Sequence, residues 1–285
     1  MSLEAFARER GYLVRLAYRM LGSVADAEDA VQDTYLRWQA AGEPALDAPR
    51  AWFTRTCTRL CLDRLKSAHR TREQYVGEWL PEPFVDDSET RAVLDETLSM
   101  ALLATIERLT PAERAAFLLH DVFDYGFDDI AGMLDLSPAN CRQLATRARR
   151  HLTGERVRAP HDADTVQRLG QAFFAAIRGG DIAGLQAVLS EDVVLRADGG
   201  GKVSAARRPV EGRTAVLRFL QAIFMRGEAF HPEVRERWFN GAPGMLVFDG
   251  DRLVSAFHFD VRDGRIAGIF VQRNPDKLGG FAPMA

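Results

Sequence analysis

The sequence of 285 residues has few cysteines, few lysines and no long apolar stretch. Its three cysteines, an odd and small number, argue against a disulfide framework and fit a reducing compartment. No apolar run approaches the ~18 residues that a membrane-spanning helix needs, and the first residues lack the apolar core of a signal peptide. We therefore expect a cytoplasmic protein that makes no membrane contact. At ~150 residues per domain, the length predicts two domains or three small ones.

Charge is unevenly distributed, although the net charge is only −3. Residues 49–73 and 138–158 each carry a net charge of +5, whereas residues 76–107 between them carry −7. Arginine outnumbers lysine by 34 to 3, and its guanidinium binds phosphate as a planar fork. Two basic segments joined by an acidic one suggest two contacts with a polyanion. Solvated helix faces would produce the same pattern, so charge alone leaves both interpretations open.

Helical periodicity dominates the first ~75 residues and returns from Val93 to Leu152. Ser23-x-x-Asp26 and Thr110-Pro111-Ala112-Glu113 are capping signals, and the helix that follows the second is predicted to run to Val122. The long helix that starts at Pro49 has a predicted apolar face of Phe53, Cys57, Leu60, Cys61 and Leu65, with Arg55, Arg59 and Lys66 on the opposite face.

The segment between the two helical stretches, residues 74–90, contains two prolines and a run of acids, which predicts a linker. Trp79, Leu80 and Phe84 are too apolar for a fully solvated tether, so we expect them to dock on another part of the protein.

A helix-turn-helix is predicted at residues 128–152. A short helix ends at Leu134, Ser137 caps the next helix, and Pro138 occupies its first turn. The second helix is rich in arginine, as expected for a helix that lies in the major groove of DNA. A packing helix with a polar outer surface is the alternative.

After Pro160 the pattern changes to short strands with few helices. Asp249-Gly250 and Asp263-Gly264 are hairpin turn sequences, and a helix is predicted over Arg213–Met225. The arrangement predicts an α+β domain with an antiparallel meander over helices. The predicted strands are Val193–Arg196, Val203–Arg207, Val234–Phe239, Met245–Phe248, Leu253–Phe259 and Ile266–Arg273.

Three features bear on other chemistry. Cys57 and Cys61 have the spacing of metal ligands, but no second pair follows at a conventional distance, so we expect core thiols and no zinc. The glycine run after Asp198 lacks the pattern of a phosphate-binding loop and predicts a strand-connecting loop instead. His258 could act as a general base in a cavity, with Asp198 or with Asp260 on the same strand face, although a structural histidine is the commoner case.

Together these motifs resemble bacterial sigma factors of the extracytoplasmic-function group. Asp26–Trp38 (DAEDAVQDTYLRW) resembles the region 2 helix that docks on the clamp coiled coil of core RNA polymerase. Ala51–Leu65 (AWFTRTCTRLCLDRL) resembles the helix that binds the −10 promoter element, with Trp52 at a matching position and Arg59 where many members carry Asn. Leu109–Leu152 resembles region 4, which binds the −35 element and the polymerase flap.

The remainder resembles the subgroup of this family that carries a fused SnoaL-like domain, a cone-shaped α+β barrel. Three strings support the resemblance: WLPEP at Trp79–Pro83, DGGGK at Asp198–Lys202 and NPDKL at Asn274–Leu278. The resemblance implies that the C-terminal domain regulates the sigma factor in cis and that the linker docks on it. SnoaL-like relatives include enzymes, but no acid/base pair matches here, so no catalytic role is carried over.

The resemblance implies candidate residues for four kinds of contact. The −35 element would be contacted by Asn140, Arg142, Gln143, Arg147, Arg149 and Arg150. The −10 element would be contacted by Trp52, Arg55, Arg59 and Lys66. Polymerase would be contacted by Asp26, Glu28, Asp29, Gln32, Asp33 and Leu36. Regulatory contacts would involve Trp79, Leu80, Pro81, Asp198, Lys202, Asn274, Pro275 and Asp276.

We therefore predict a multidomain protein with an all-α N-terminal half and a C-terminal α+β domain. Its parts are a region 2 bundle at 1–75, a linker at 76–92, a region 4 helix-turn-helix at 93–156 and a SnoaL-like domain at 162–285. The predicted function is promoter-directed transcription initiation with core RNA polymerase, without enzymatic activity, cofactor or metal. A small molecule in the C-terminal cavity is a further candidate partner. The alternatives are a ligand-sensing DNA-binding regulator and a SnoaL-like enzyme fused to a DNA-binding module.

Overall fold

The computed structural model describes residues 2–42, 48–72, 75–85, 99–152, 162–224 and 233–281. Its contacts divide the chain into a helical unit (Met1–Gln74 with Leu103–Val157) and a sheet unit (Tyr75–Leu102 with Arg158–Ala285). Both predicted helical domains thus share one compact unit, and the described linker residues belong to the other. The domain boundaries expected from sequence stay predictions.

The helical unit is built from helices that pack around α3. In chain order the helices are α1 (Ser2–Leu21), α2 (Val24–Ala40), α3 (Pro49–Arg72), α4 (Met100–Ile106), α5 (Pro111–Phe117), a π-helical turn (Leu118–Val122), α6 (Phe127–Leu134) and α7 (Pro138–Leu152). Helix α4 crosses the boundary between the two units. Helix α3 packs against α1, α2, α5 and α6, and α7 packs against α5 and α6. No described helix combines the length and the apolarity that crossing a membrane requires.

Local signals explain where these helices begin. Ser23 caps α2 by accepting a hydrogen bond from the backbone N–H of Asp26, and Thr110 forms a capping box with Glu113 at α5. These caps confirm the predicted starts. The helix expected to run to Val122 is instead α-helical only to Phe117 and then widens into the π-helical turn.

The described residues of the sheet unit combine α-helices with a six-stranded sheet. Its elements are α8 (Ala163–Gly179), α9 (Ile182–Val188), β1 (Leu189–Asp198), β2 (Val210–Glu211), α10 (Arg213–Phe224), β3 (Glu233–Phe239), β4 (Ala242–Asp249), β5 (Arg252–Arg262), β6 (Arg265–Gln272) and a 3-10 turn (Pro275–Lys277). The strand order is β2-β1-β6-β5-β4-β3. The helical and α+β fold classes predicted for the two halves are confirmed.

The sheet differs from a pure meander in two respects. Strands β3 to β6 pair antiparallel as predicted, but β1 pairs parallel with β6, because helix α10 and the other strands intervene along the chain. The strand predicted over Val203–Arg207 is absent: bends and irregular backbone occupy this stretch, and the short strand β2 follows it. The two hairpin turns at Gly250 and Gly264 have positive φ, as their sequences indicated.

The two faces of the sheet pack against different partners. Phe257, Phe259 and Val261 of β5 face the interior, where α8, α9 and α10 cover the sheet. The alternate residues of β5 face the opposite, outer side, where Ala256 packs in a smaller cluster with Phe239 and Leu278. The alternation follows from the two-residue period of a strand.

Candidate nucleic-acid interface and linker network

Helix α7 carries a polar, mostly basic outer face. Ser137 caps it by accepting a hydrogen bond from the backbone N–H of Asn140 at 3.2 Å. Its inner side is formed by buried Cys141, Ala145, Ala148 and Leu152. All six residues that sequence assigned to the −35 element lie exposed on this helix: Asn140, Arg142, Gln143, Arg147, Arg149 and Arg150. Such a face matches the needs of groove and phosphate contacts.

Two of these arginines are oriented by neighbouring side chains. The guanidinium of Arg142 lies 5.1 Å from the ring centroid of Phe127, and Phe127 stacks on His120 at 4.1 Å. Arg149 forms a hydrogen-bonded ion pair with Asp121 at 2.9 Å. The contacts of Phe127 and Asp121 with these arginines were not predicted from the sequence, because neither residue belongs to the helix that carries the arginines.

The basic helix α3 presents its predicted −10 residues unequally. Its buried face is the predicted one, formed by Phe53, Cys57, Leu60, Cys61 and Leu65. Arg55 and Lys66 are exposed, and Trp52 is half-buried with its ring edge against Phe53. Arg59, expected on the free face, is bound to the helix-turn-helix instead.

Arg59 connects α3 to the turn after α6. Its Nε donates to the backbone oxygen of Met133 at 3.1 Å. Its Nη2 lies 2.8 Å from Oδ2 of Asp135, close enough for an ion pair although not aligned as a hydrogen bond. Asp135 ends α6 in the left-handed conformation, with φ of 55°. The candidate −10 helix and the candidate −35 motif are therefore in direct contact.

Three hydroxyl groups form a second connection inside the helical unit. Tyr125, from the loop before α6, lies 3.0 Å from the hydroxyl of Tyr12 on α1 and 3.1 Å from that of Thr54 on α3. Burial raises the pKa of Tyr12. Phe123 of the same loop packs edge-on against Tyr12 and lies under the guanidinium of Arg19. Sequence patterns do not single out these residues, because their partners come from distant segments.

Helix α2 presents an acidic surface. Its buried side consists of Ala27, Ala30, Val31, Thr34 and Trp38. Of the predicted polymerase contacts, Asp26, Glu28, Asp29, Gln32 and Leu36 are exposed and Asp33 is half-buried. Arg64 of α3 holds this surface by pairing with Asp33 at 2.6 Å. An exposed leucine among acids suits docking on a protein surface with basic groups.

In the sheet unit, buried Asp198 is the centre of a polar network that includes the linker. Its carboxylate accepts hydrogen bonds from the Tyr75 hydroxyl at 2.6 Å, the Leu80 backbone N–H at 3.0 Å and the Lys277 ammonium at 2.7 Å. Burial and the bond to this carboxylate raise the pKa of Tyr75. Lys277 also donates to the Leu80 carbonyl at 2.6 Å and lies 4.0 Å over the Trp79 ring. The three strings WLPEP, DGGGK and NPDKL therefore meet at one place.

The remaining candidates surround this centre. Gln272 donates to the Pro81 carbonyl at 3.3 Å, and Lys202 pairs with Asp276 at 2.6 Å on the surface. Asn274 donates to the Tyr75 hydroxyl and lies so close to Gly200 that a Cβ there would meet its side chain at 2.4 Å. Gly200 also has φ of 63°, so both the close contact and the backbone conformation require glycine at this position. Tyr75, Gln272 and Lys277 were missed as site residues, although Lys277 lies within the NPDKL string.

The two cysteines and His258 were considered above for metal binding and for general-base chemistry. Cys57 and Cys61 are buried, and the hydrogen bond between the thiols together with burial raises the pKa of Cys61. His258 faces the outer side of the sheet, away from the interior between sheet and helices. Asp260 bonds to Arg262 at 3.0 Å, and neither nitrogen of His258 has a partner. His258 and Asp260 share a strand face but do not form a hydrogen-bonded pair.

Family comparisons agree with this geometry. The chain matches the models for Sigma-70 region 2 over residues 5–71, Sigma-70 region 4 over residues 99–152 and a SnoaL-like domain over residues 171–269. The ECF RNA polymerase sigma factor SigJ of Mycobacterium tuberculosis is 36% identical over 295 residues, covering 98% of this chain and 94% of the relative. This chain belongs to the extracytoplasmic-function sigma factors.

Further relatives of this family share the whole architecture. A probable ECF RNA polymerase sigma factor, SigI of M. tuberculosis, is 31% identical over 291 residues, covering 96% of this chain and 93% of the relative. The crystal structure of M. tuberculosis SigJ superposes with a TM-score of 0.80 at 34% identity, covering 99% of this chain and all of that one. The family and the fold classes predicted from sequence are thereby confirmed.

Proposed function

We propose that this chain directs core RNA polymerase to promoters, with α7 contacting the −35 element and α3 the −10 element. The observation that carries the proposal is the exposed face of α7, on which six polar or basic side chains stand opposite a buried apolar side. Arginines on this face would bind phosphates, and Asn140 and Gln143 would contact base edges. The acidic surface of α2 is the proposed contact with the polymerase clamp.

Two helices that each bind DNA weakly bind it strongly together when the chain that carries both is attached to polymerase. Each basic helix alone offers a few salt-sensitive phosphate contacts. Once the chain is bound to polymerase, the second contact is intramolecular and benefits from a high effective concentration. The Arg59 contact brings the two candidate elements together, so Arg59 must leave Met133 and Asp135 before it can contact DNA.

In vitro selection followed by run-off transcription tests the proposal. Core polymerase with the full chain is used to select templates from a random DNA pool, and the selected templates are then transcribed. We expect two enriched boxes at a constant spacing and initiation downstream of them. Core polymerase alone is the control. Failure of the chain to join polymerase, or absence of initiation when it does, would contradict the proposal.

We further propose that the sheet unit regulates initiation in cis through the linker. The support is the attachment of Tyr75, Leu80 and Pro81 to Asp198, Lys277 and Gln272, which holds the linker segment that connects the two promoter-contacting regions. Asp198→Asn in the full chain removes the charge at the centre of this network, and we expect altered run-off transcription. Glu191→Gln, at the exposed pair with Arg213, is the matched control. Unchanged transcription from Asp198→Asn would contradict cis regulation.

We propose that the sheet unit acts without catalysis. The support is that His258 points away from the interior, and the interior contains closely packed rings of Phe173, Phe174, Phe257 and Phe259 with centroids 5.0 to 6.5 Å apart. A small-molecule ligand there stays a prediction. A thermal-shift screen of the full chain against apolar compounds tests it, and binding would favour the ligand-sensing alternative.

A further inference from the structure

The proposed sigma activity has no use for the most anomalous buried group in the molecule. His258 on β5 is 3% exposed, and neither Nδ1 nor Nε2 has a hydrogen-bond partner among the residues that the structure describes. A neutral imidazole carries one donor and one acceptor, so both are buried unsatisfied. Burial lowers the pKa of His258 from 6.5 to about 4. The folded chain therefore keeps this group neutral and dry.

One aromatic ring separates His258 from the rest of the outer layer. The ring of Phe239 packs edge-on against the imidazole, with 5.6 Å between centroids. It lies over Gly244, where a Cβ would meet the ring at 2.1 Å. Met245 on β4 pairs with Phe257 on the antiparallel strand β5, and this register places the neighbouring Gly244 opposite His258. Phe239 is therefore one of the groups that keep water from the imidazole on this side.

Phe239 in turn is held by the linker and by the C-terminal segment. It forms a β-bridge with Val85, and the next residue, Asn240, exchanges hydrogen bonds with Phe84 at 2.8 and 3.1 Å. Phe281 packs on the same ring at 5.2 Å. Movement of Phe239 therefore breaks contacts of both segments. We call linker residues 75–85 together with residues 274–281 the cover.

The charged groups on this face do not compensate a proton on His258. The cross-strand row that contains His258 and Phe270 ends in Arg237 on β3 and Arg196 on β1. Arg196 is already paired with Glu78 of the linker, so that carboxylate does not compensate a proton on His258. Asp260, two residues along β5, is bound by Arg262. Among the described residues, the other ionisable groups on and around this face include Arg235 with its partner Glu233 on β3, Asp198 on β1, Lys277 and Asp276 beyond β6, and Tyr75, Glu78 and Glu82 in the linker.

We propose that His258 makes the cover acid-sensitive: uptake of one proton from solvent by its imidazole releases linker residues 75–85 and residues 274–281 from the outer face of the sheet. The charged ring needs water or an acceptor, and the closed layer offers neither. Turning outward displaces Phe239, which opens the contacts to Phe84, Val85 and Phe281. The effect on initiation rests on the proposed cis regulation, whereas the opening itself does not.

The direction and size of the pH effect follow from the linkage between proton binding by His258 and opening of the cover. The closed state has the lower pKa, so it binds fewer protons, and its stability is lost as pH falls below 6.5 toward about 4. With these two pKa values, the opening equilibrium constant should rise about 30-fold between pH 7.5 and pH 5.0. At still lower pH the increase should level off near 300-fold.

Hydrogen exchange of the full chain, followed by mass spectrometry, tests the proposal. The amides of Leu80 and Phe84 report on the cover, because they bond to Asp198 and Asn240. Protection factors, which remove the intrinsic pH dependence of exchange, should fall about 30-fold from pH 7.5 to 5.0 in the wild type. In His258→Leu the protection factors should be higher than in the wild type at pH 7.5. The fall of about 30-fold between pH 7.5 and pH 5.0 should be lost in this variant. His120→Gln, in the helical unit, should leave the wild-type change intact.

His258→Gln repeats the test with a side chain that stays neutral and polar, in case the leucine variant does not fold. Equal pH dependence in the wild type and in either folded variant would overturn the proposal, as would pH-independent protection in the wild type. The transcription assay and the exchange experiment test different proposals. A chain that never initiates transcription contradicts the proposed function, whereas the exchange experiment still decides the role of His258.

Discussion

In the helical unit the residues assigned to function lie on the surface, as on α7, whereas in the sheet unit the central residue of the motif strings, Asp198, is fully buried. Exposed arginines keep their hydration and cost little to hold, so they are available for a partner. A buried carboxylate must be compensated by its neighbours, and here it is compensated by Lys277, Tyr75 and the linker backbone. The contrast separates residues that bind another molecule from residues that hold this chain to itself.

The largest expected effect is the loss of that compensation. Asp198→Ala leaves the Lys277 ammonium nearly buried without its carboxylate, and should lower the free energy of unfolding of the sheet unit by about 3–5 kcal/mol. Denaturant unfolding measures it. Asp276→Ala, which breaks only the exposed pair with Lys202, should cost less than about 1 kcal/mol. Equal losses would contradict the contrast between buried and exposed motif residues.

A smaller effect should come from the contact inside the helical unit. Thr54→Val removes the buried hydroxyl that binds Tyr125, and should cost about 1–2 kcal/mol of the free energy of unfolding. Thr146→Val on α7, whose hydroxyl bonds only to the carbonyl of Arg142 in its own helix, is the control and should cost less. If Thr54→Val is neutral, the hydroxyl cluster does not stabilise the docking of the Tyr125 loop.

Exposed arginines should show the opposite balance between stability and binding. Arg147→Ala should change the free energy of unfolding by less than about 0.5 kcal/mol. It should weaken binding to promoter DNA at all sequences and reduce the slope of log affinity against log salt by about 1. Fluorescence titrations of the holoenzyme at several salt concentrations measure both. An unchanged slope would remove Arg147 from the set of phosphate contacts.

The smallest effect concerns orientation rather than contact. Phe127→Leu removes the ring beneath Arg142, and should lower affinity for the selected −35 box two- to five-fold, about 0.5–1 kcal/mol. In an Arg142→Ala background the same change should have almost no effect, because the guanidinium that it orients is gone. Additive losses in the double variant would show that Phe127 acts by another route.

Sequence reasoning succeeded where the signal was local. Ser23 and Thr110 were identified as caps from spacing alone, and the buried face of α3 followed from its 3.6-residue period. It failed at Val203–Arg207, where a short strand-like run suggested a strand but positive φ at Gly200 and Gly201 starts a turn that leads into an irregular loop. It also assumed an antiparallel β1, since a strand pattern carries no information about the direction of its neighbour.

The amino-acid sequence by itself determined the helical and α+β halves, the basic face of α7 and the family, because periodicity, caps and motif strings are written within short segments. Only the tertiary structure decided that Arg59 contacts the turn after α6, that Tyr75 and Lys277 converge on Asp198, and that His258 is buried without a partner. These contacts join residues that lie up to 123 positions apart. Each depends on how packed elements meet, a property that no local pattern encodes.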